Sequence, residues 1–201
     1  MKTTILRLPH LHFVYIAIVL AALLCICFLA LEIISLEQDL LQWQDQADEL
    51  KDELSKIKRY SEHYRTTPEI VATVLRESEL HEISPLIMLE LIKTESNFQP
   101  TALSGDGASG LCQIRPITAK GIAQQLGLEY QPHYLQEAEY SIILGTYHLA
   151  NLVKLYNHDY HRALTAYNRG IRGMGEYVKR TGTPVSSYSS RISQNSLALA
   201  N

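Results

Sequence analysis

Several residue types are scarce in this chain of 201 residues, and each scarcity removes a class of protein. Of three cysteines, Cys25 and Cys27 lie inside an apolar run and Cys112 stands alone elsewhere, so no disulfide framework is open to the rest of the chain. Positive charge is not in excess: 18 Lys and Arg face 21 Asp and Glu, for a formal net charge of −3, which argues against nucleic acid as a partner. Of eight histidines, only His158 and His161 have helical spacing, and nothing nearby completes a metal site. No G-x-x-x-x-G-K-[ST] follows a strand, which excludes a phosphate-binding loop of that kind. No stretch alternates in the manner of a strand, so the expected fold is mainly α.

Long apolar runs are not scarce. Residues 13–31 carry no charge, and about 20 residues of helix cross a bilayer core. No A-x-A site follows, so an uncleaved signal anchor over 13–34 is expected. Lys2 and Arg7 precede it, whereas Glu32, Glu37 and Asp39 come before the next basic residue, Lys51. The positive-inside rule then places residues 1–12 in the cytoplasm and the remainder outside.

Beyond the anchor, Leu36, Leu40, Trp43, Ala47, Leu50, Leu54, Ile57, Ser61 and Tyr64 follow a 4-3 spacing with charged residues between them. That heptad predicts a coiled-coil-like helical stalk over 35–66, about 45 Å long at ~1.5 Å per residue, with a homodimer through the stalk as one consequence. Thr67-Pro68 ends the stalk, and helices are expected over 68–80, 85–95, 116–126, 136–155, 159–169 and 171–180. The Ser-rich segment 186–201 reads as a loose tail.

The chemistry concentrates in residues 84–119. Ser84-Pro85 is a helix start, and Met88, Leu91, Ile92 and Glu95 share one face of the helix it opens. A carboxylate at the end of an apolar stripe is unusual. Desolvation raises the pKa of such a group, which suits a general acid. Pro100 then stops the helix run, Gly105, Gly107 and Gly110 form a glycine-rich loop, and Pro116 opens the next helix. Asp106 reads as a turn residue, and Glu90, about 140° round the helix from Glu95, faces elsewhere.

These residues carry a resemblance. Glu95-Ser96, Phe98, Pro100, Ala102, Ser104, Gly107-Ala108, Gly110-Leu111, Gln113-Ile114, Pro116 and Thr118-Ala119 resemble the signature of the soluble lytic transglycosylase (SLT) family, within the lysozyme-like superfamily. Ala166-Tyr167-Asn168-Arg169-Gly170 resembles its Ala-Tyr-Asn-x-Gly element, and residues 141–149 resemble a third. The resemblance implies a lysozyme-like helical catalytic domain over 67–185 on the periplasmic or cell-wall side of a bacterial inner membrane. Its implied substrate is the peptidoglycan glycan strand, with no metal or organic cofactor. It also implies service to an envelope secretion or conjugation machinery.

By the same resemblance, Glu95 is a single acid/base. It protonates the oxygen between N-acetylmuramic acid and N-acetylglucosamine, then deprotonates the muramoyl 6-hydroxyl, which closes a 1,6-anhydro ring. Ser104 contacts the sugar or steadies the reacting end, Gln113 lines the cleft, Tyr167 brings its hydroxyl near Glu95 or the saccharide, and Asn168 braces its turn. The sequence departs from the pattern at Cys112 and Arg115, where Met is usual, at Ser141 in place of Asn, and at His148 in place of Tyr. Tyr147 stands one place early, a shift of ~100° on a helix, and is carried as a substrate-binding candidate. Two alternatives stay open: a muramidase that uses water on the same site, and a non-catalytic scaffold.

Overall fold

The computed structural model describes residues 9–200, with side chains over 13–199; the basic residues Lys2 and Arg7 lie outside that range. Seven α-helices and one 3-10 turn are described: α1 (Pro9–Tyr64), α2 (Pro68–Leu80), α3 (Pro85–Ser96), α4 (Pro116–Leu126), the turn Pro132–Gln136, α5 (Ala138–Leu155), α6 (Tyr160–Thr181) and α7 (Ser187–Ala200). Among the described residues the only β pairing is a pair of isolated bridges in the glycine-rich loop, Leu103 with Ser109 and Ser109 with Ile114. The mainly α expectation therefore holds. The chain divides into two compact units between Ser55 and Lys56.

The first unit is helical throughout its described part, because α1 runs unbroken through both the apolar run and the heptad segment. Its apolar residues are exposed along the whole run from Phe13 to Ile34. The heptad positions Leu36, Leu40, Trp43, Leu50 and Leu54 are exposed as well. The last heptad positions behave differently. Ile57, Ser61 and Tyr64 belong to the second unit and pack into its core, with Tyr64 4% exposed and its ring 5.3 Å from that of Phe98. The folded domain thus begins some ten residues before Thr67, because the heptad stripe continues into an ordinary buried helix face.

In the second unit α3 is central. Met88, Leu89, Leu91 and Ile92 are fully buried on successive positions, as expected of a helix that is apolar all round. α2 and α7 pack on it, and α5 packs on α2, α4 and α6. Proline opens α2, α3 and α4 at the first helical turn, and Thr67 Oγ1 caps α2 by accepting from the Ile70 amide. α6 is interrupted at Gly170, whose φ of 74° and ψ of 161° are not helical and suit glycine, so two helices meet there across a kink, as expected on either side of that residue. α5 starts at Ala138, because the 3-10 turn takes residues up to Gln136.

The tail expected to be loose is helix α7. Tyr188 is 8% exposed, Ile192 is fully buried and Ser196 is 6% exposed, all on one face against α3 and α6. A helix with a buried face is ordered by packing whatever its composition. Serines also serve directly as its anchor: Thr165 Oγ1 lies 2.9 Å from Ser186 Oγ, and the Ser186 amide donates to Ser189 Oγ at 3.0 Å.

Candidate active site

Glu95 stands at the last turn of α3, where the helix stops abruptly. Asn97 and Phe98 both adopt left-handed backbone conformations, with φ of 51° and 60°. Consecutive non-glycine residues in that region are strained, and such strain gathers at functional sites. The reversal drives the Phe98 ring into the core and sends the chain into the glycine-rich loop beneath Glu95.

The loop is held by its own polar groups. Gly110 N–H donates to the Ala102 carbonyl at 2.9 Å, and Ser96 Oγ donates to the Leu111 carbonyl at 2.8 Å, tying loop to helix. Gly110 has φ 80°, and a Cβ there would fall 1.7 Å from the Leu135 carbonyl oxygen. Only glycine fits that crossing. Cys112 is also fitted: its Sγ would stand 2.4 Å from a Cβ on Gly145, so the small thiol and the missing side chain occupy one space on α5. The Cys112 amide donates to Ser141 Oγ at 3.2 Å, the position where the family element usually has Asn.

These elements enclose a cleft of about 490 Å³. Glu95, Ser104, Gln113, Arg115, His148, Tyr167 and Asn168 all line it, so five of the six candidate site residues meet there. Tyr147 is the exception. Its ring packs edge-on to His81, 5.5 Å away, and it does not line the cleft, whereas His148, the next residue on α5, does. The ~100° rotation between neighbours on a helix accounts for the exchange.

The geometry divides the roles of the rest. Gln113 Nε2 donates to the carbonyls of Ala102 and Gly110 at 3.0 and 2.9 Å, so its amide braces the loop while its edge faces the cleft. Ser104 Oγ accepts from the Ala108 amide at 2.9 Å and donates to Asp106 Oδ1 at 2.5 Å. Tyr167 Oη donates to the Cys112 carbonyl at 2.9 Å, which spans from α6 to the loop, and its ring lies 5.1 Å from that of His148. Asn168 is exposed at the cleft edge.

The electrostatics single out one carboxyl group. Burial pushes the Glu95 carboxyl above its ordinary range, against the lowering effect of the hydrogen bond that Tyr188 Oη donates to its Oε1 at 2.5 Å. Asp106, the other carboxylate in the cleft, is held below its ordinary range by Ser104 and by Arg115, whose guanidinium donates to its Oδ2. Glu90 points away from the cleft, accepting from Tyr64 Oη at 2.7 Å and Asn195 Nδ2 at 3.0 Å. Burial lowers the His148 imidazole to about 4, so it is neutral over the physiological range. Among the described residues no three His, Cys, Asp or Glu side chains gather as metal ligands would.

Tyr188 and His148 are site residues that sequence reasoning did not select. Tyr188 had a signal: Tyr188, Ile192, Ser196 and Leu199 fall at helical spacing, but a serine takes one position of the stripe and four more surround Tyr188, which blurs it.

A glutamate whose carboxyl pKa is raised by desolvation stands over a glycine-rich loop in a small helical domain. The chain belongs to the family of the transglycosylase SLT domain, whose sequence model matches residues 58–188. Over 99 residues it is 34% identical to a putative soluble lytic murein transglycosylase of Haemophilus influenzae, covering 49% of this chain and 17% of that protein. Over 107 residues it is 35% identical to the membrane-bound lytic murein transglycosylase C of Serratia proteamaculans, covering 48% and 30%. The chain therefore spans less than a third of the length of these relatives. Among solved structures it resembles an inactive mutant of the lytic transglycosylase Slt of Pseudomonas aeruginosa, with a TM-score of 0.56 and 26% identity over 64% of this chain and 23% of that one. The 70 kDa soluble lytic transglycosylase of Escherichia coli shares the fold, with a TM-score of 0.52 and 23% identity over 62% and 21%.

Proposed function

We propose that this protein is a lytic transglycosylase that cleaves the glycan strands of peptidoglycan, with Glu95 as its single acid/base. The observation that carries this reading is the pairing of a desolvated Glu95 with an Asp106 already committed to Arg115 and Ser104. Glycosidases that use water or a protein nucleophile place two carboxyl groups about the scissile bond. Here burial raises the pKa of one carboxyl group, and the other is engaged in an exposed ion pair. A single acid suffices when the substrate supplies the nucleophile. Glu95 protonates the oxygen leaving the N-acetylmuramic acid carbon, and its carboxylate then takes the proton of the muramoyl 6-hydroxyl as that oxygen closes the 1,6-anhydro ring. The bond to N-acetylglucosamine breaks, the ring bond forms, and Glu95 ends neutral as it began.

Residues 13–34 supply the membrane anchor in this reading: the α1 segment is long, apolar and exposed throughout, and its first described residues follow the basic N-terminus. The catalytic domain then faces the wall on the outer side of the inner membrane. The exposed apolar stripe from Leu36 to Leu54 supports pairing of two copies through the stalk, since a heptad leaves its stripe unburied in a single helix.

Peptidoglycan digested with the full chain in detergent, beside Glu95→Gln, tests the chemistry. The expected soluble products are lighter by one water than the corresponding hydrolytic fragments, and Glu95→Gln lowers turnover by about 10²–10⁴-fold. Products of full hydrolytic mass would instead assign a muramidase. No release from folded wild-type protein would leave the scaffold reading.

A further inference from the structure

Glu90 is a buried carboxyl group that the proposed reaction does not use. It is 4% exposed on α3, and both of its oxygens are occupied. Tyr64 Oη donates to Oε1 at 2.7 Å, and Asn195 Nδ2 donates to Oε2 at 3.0 Å. A carboxyl group among apolar neighbours costs stability unless such bonds offset it, and an apolar side chain often serves as well in such a position. Stability alone does not call for a glutamate there.

The placement of its bonds is informative. On α7, Tyr188 and Asn195 are seven residues apart, two turns along one face. Tyr188 meets Glu95 and Asn195 meets Glu90, so α3 and α7 run antiparallel and are pinned to each other at two points, with the fully buried Ile192 between them. The start of α7 is tied to α6 instead: Thr165 Oγ1 lies 2.9 Å from Ser186 Oγ, and His161 Nδ1 lies 3.1 Å from Ser189 Oγ. Glu90 thus holds the far end of α7 to the catalytic helix. Tyr64 steadies Glu90 from the end of α1, and its ring packs on Phe98, which turns the chain just past Glu95.

The titratable groups facing Glu95 are Tyr188 of α7, Tyr167 of α6 and Cys112 of the loop, and burial raises the pKa of all three; the exposed Arg191 faces Tyr188. Tyr167 Oη donates to the Cys112 carbonyl, whereas Tyr188 Oη donates to the acid at 2.5 Å. A hydrogen bond is lost once its atoms stand about 1 Å further apart, so a slight roll or slide of α7 takes the Tyr188 hydroxyl off Glu95.

We propose that Glu90 is a positioning residue for the reaction: by holding Asn195 it fixes the seat of α7 on α3, and so keeps the Tyr188 hydroxyl on Glu95. This rests on the reading of Glu95 as the acid, and the test separates the two. The ionisation of Glu95 is followed by carboxyl-carbon NMR titration of the full chain in detergent, with Glu95→Gln to identify the resonance. Peptidoglycan digestion is measured beside it over the same pH range.

Tyr188→Phe marks the shift that loss of the hydroxyl produces. Asn195→Leu deletes the bond to Glu90 without changing the charge, and because Asn195 is exposed the core packing stays intact. Glu95 is then expected to titrate at higher pH, by a large part of the Tyr188→Phe shift, and the alkaline limb of digestion follows it. In the Tyr188→Phe background the same substitution adds nothing. Asn195→Asp sets a carboxylate against Glu90 and acts like Asn195→Leu. Glu90→Gln/Asn195→Asp returns the titration to its wild-type position, because the amide donates to the new carboxylate while its oxygen accepts from Tyr64.

An unmoved Glu95 in Asn195→Leu, or a shift equally large with and without the Tyr188 hydroxyl, overturns the proposal. So does a Glu95 that titrates lower in Glu90→Gln and is unmoved in Asn195→Leu, since Glu90 would then act through its charge alone. Hydrolytic products from wild type, or none, overturn the transglycosylase reading, and the titration decides the positioning role in either case.

Discussion

At the scale of single residues, the proton on Glu95 is governed by two opposed influences, and Tyr188 is the one a substitution can remove cleanly. Burial raises the carboxyl pKa, while the Tyr188 hydroxyl, donating to Oε1, stabilises the charged form and lowers it. Tyr188→Phe keeps the ring in its buried seat and deletes the donor. The carboxyl pKa then rises. In the proposed reaction the protonated acid starts the cleavage, so the alkaline limb of the kcat/KM profile is expected to move to higher pH. The pH dependence of peptidoglycan digestion by wild type and Tyr188→Phe checks this. A limb that does not move, or moves down, would show that the hydroxyl does not set the acid. Glu90, five residues earlier on α3, has a structural office instead: through Tyr64 and Asn195 it joins the end of α1 and helix α7 to the catalytic helix.

At the scale of elements, the site depends on two close fits around α3. Gly110→Ala puts a methyl group on the Leu135 carbonyl and on a backbone with φ 80°, so the loop must shift. A cost above the ~1–3 kcal/mol typical of overpacking is expected, read as a lower thermal midpoint together with lost activity. Ile192→Ala empties a fully buried position of α7, and about 2–5 kcal/mol should be lost. Urea unfolding of both variants measures these costs; an Ile192→Ala protein as stable as wild type would mean that α7 is not part of the folded core.

The same two elements mark what was legible in the sequence. Proline and glycine punctuation located α2, α3 and α4 to within a residue, because proline at a first turn leaves little freedom. The glycine-rich loop was legible for the same reason: Gly110 has no substitute. Helix α7 was not legible, since its order comes from packing on α3 and from serine hydrogen bonds that composition does not reveal. Nor was the exchange of Tyr147 for His148, which turns on the rotation of α5 about its axis. The heptad read correctly as helix and misled about its lower end, where Ile57, Ser61 and Tyr64 meet the domain core instead of a partner helix.

At the scale of the whole molecule, the two units are chemically unlike, and one probe separates them. Every tyrosine except Tyr15 lies in the unit from Lys56 onward, so the near-ultraviolet circular dichroism of tyrosine follows chiefly the catalytic domain in the full chain, with Tyr15 and Trp43 contributing from the first unit. Its stability against pH carries the signature of the cleft. Burial pushes the His148 imidazole down to about 4 in the folded state, from its ordinary value of 6.5. Between those values the unfolded chain binds the extra proton, so the contribution is complete above pH ~6.5 and is lost as pH falls toward ~4, up to about 3 kcal/mol in all. Glu95 works in the opposite sense. Its raised carboxyl pKa means that the folded state holds a proton which the unfolded chain has released, so burial of Glu95 costs stability as pH rises through the range above 4.5. His148→Gln should therefore flatten the acid loss of stability, and Glu95→Gln should steepen it, because it removes the opposing slope. Thermal unfolding of the three proteins between about pH 4 and 7 measures both. If His148→Gln left the acid slope unchanged, the imidazole would be hydrated in the folded cleft, and the dry pocket that raises the Glu95 pKa would be in question with it.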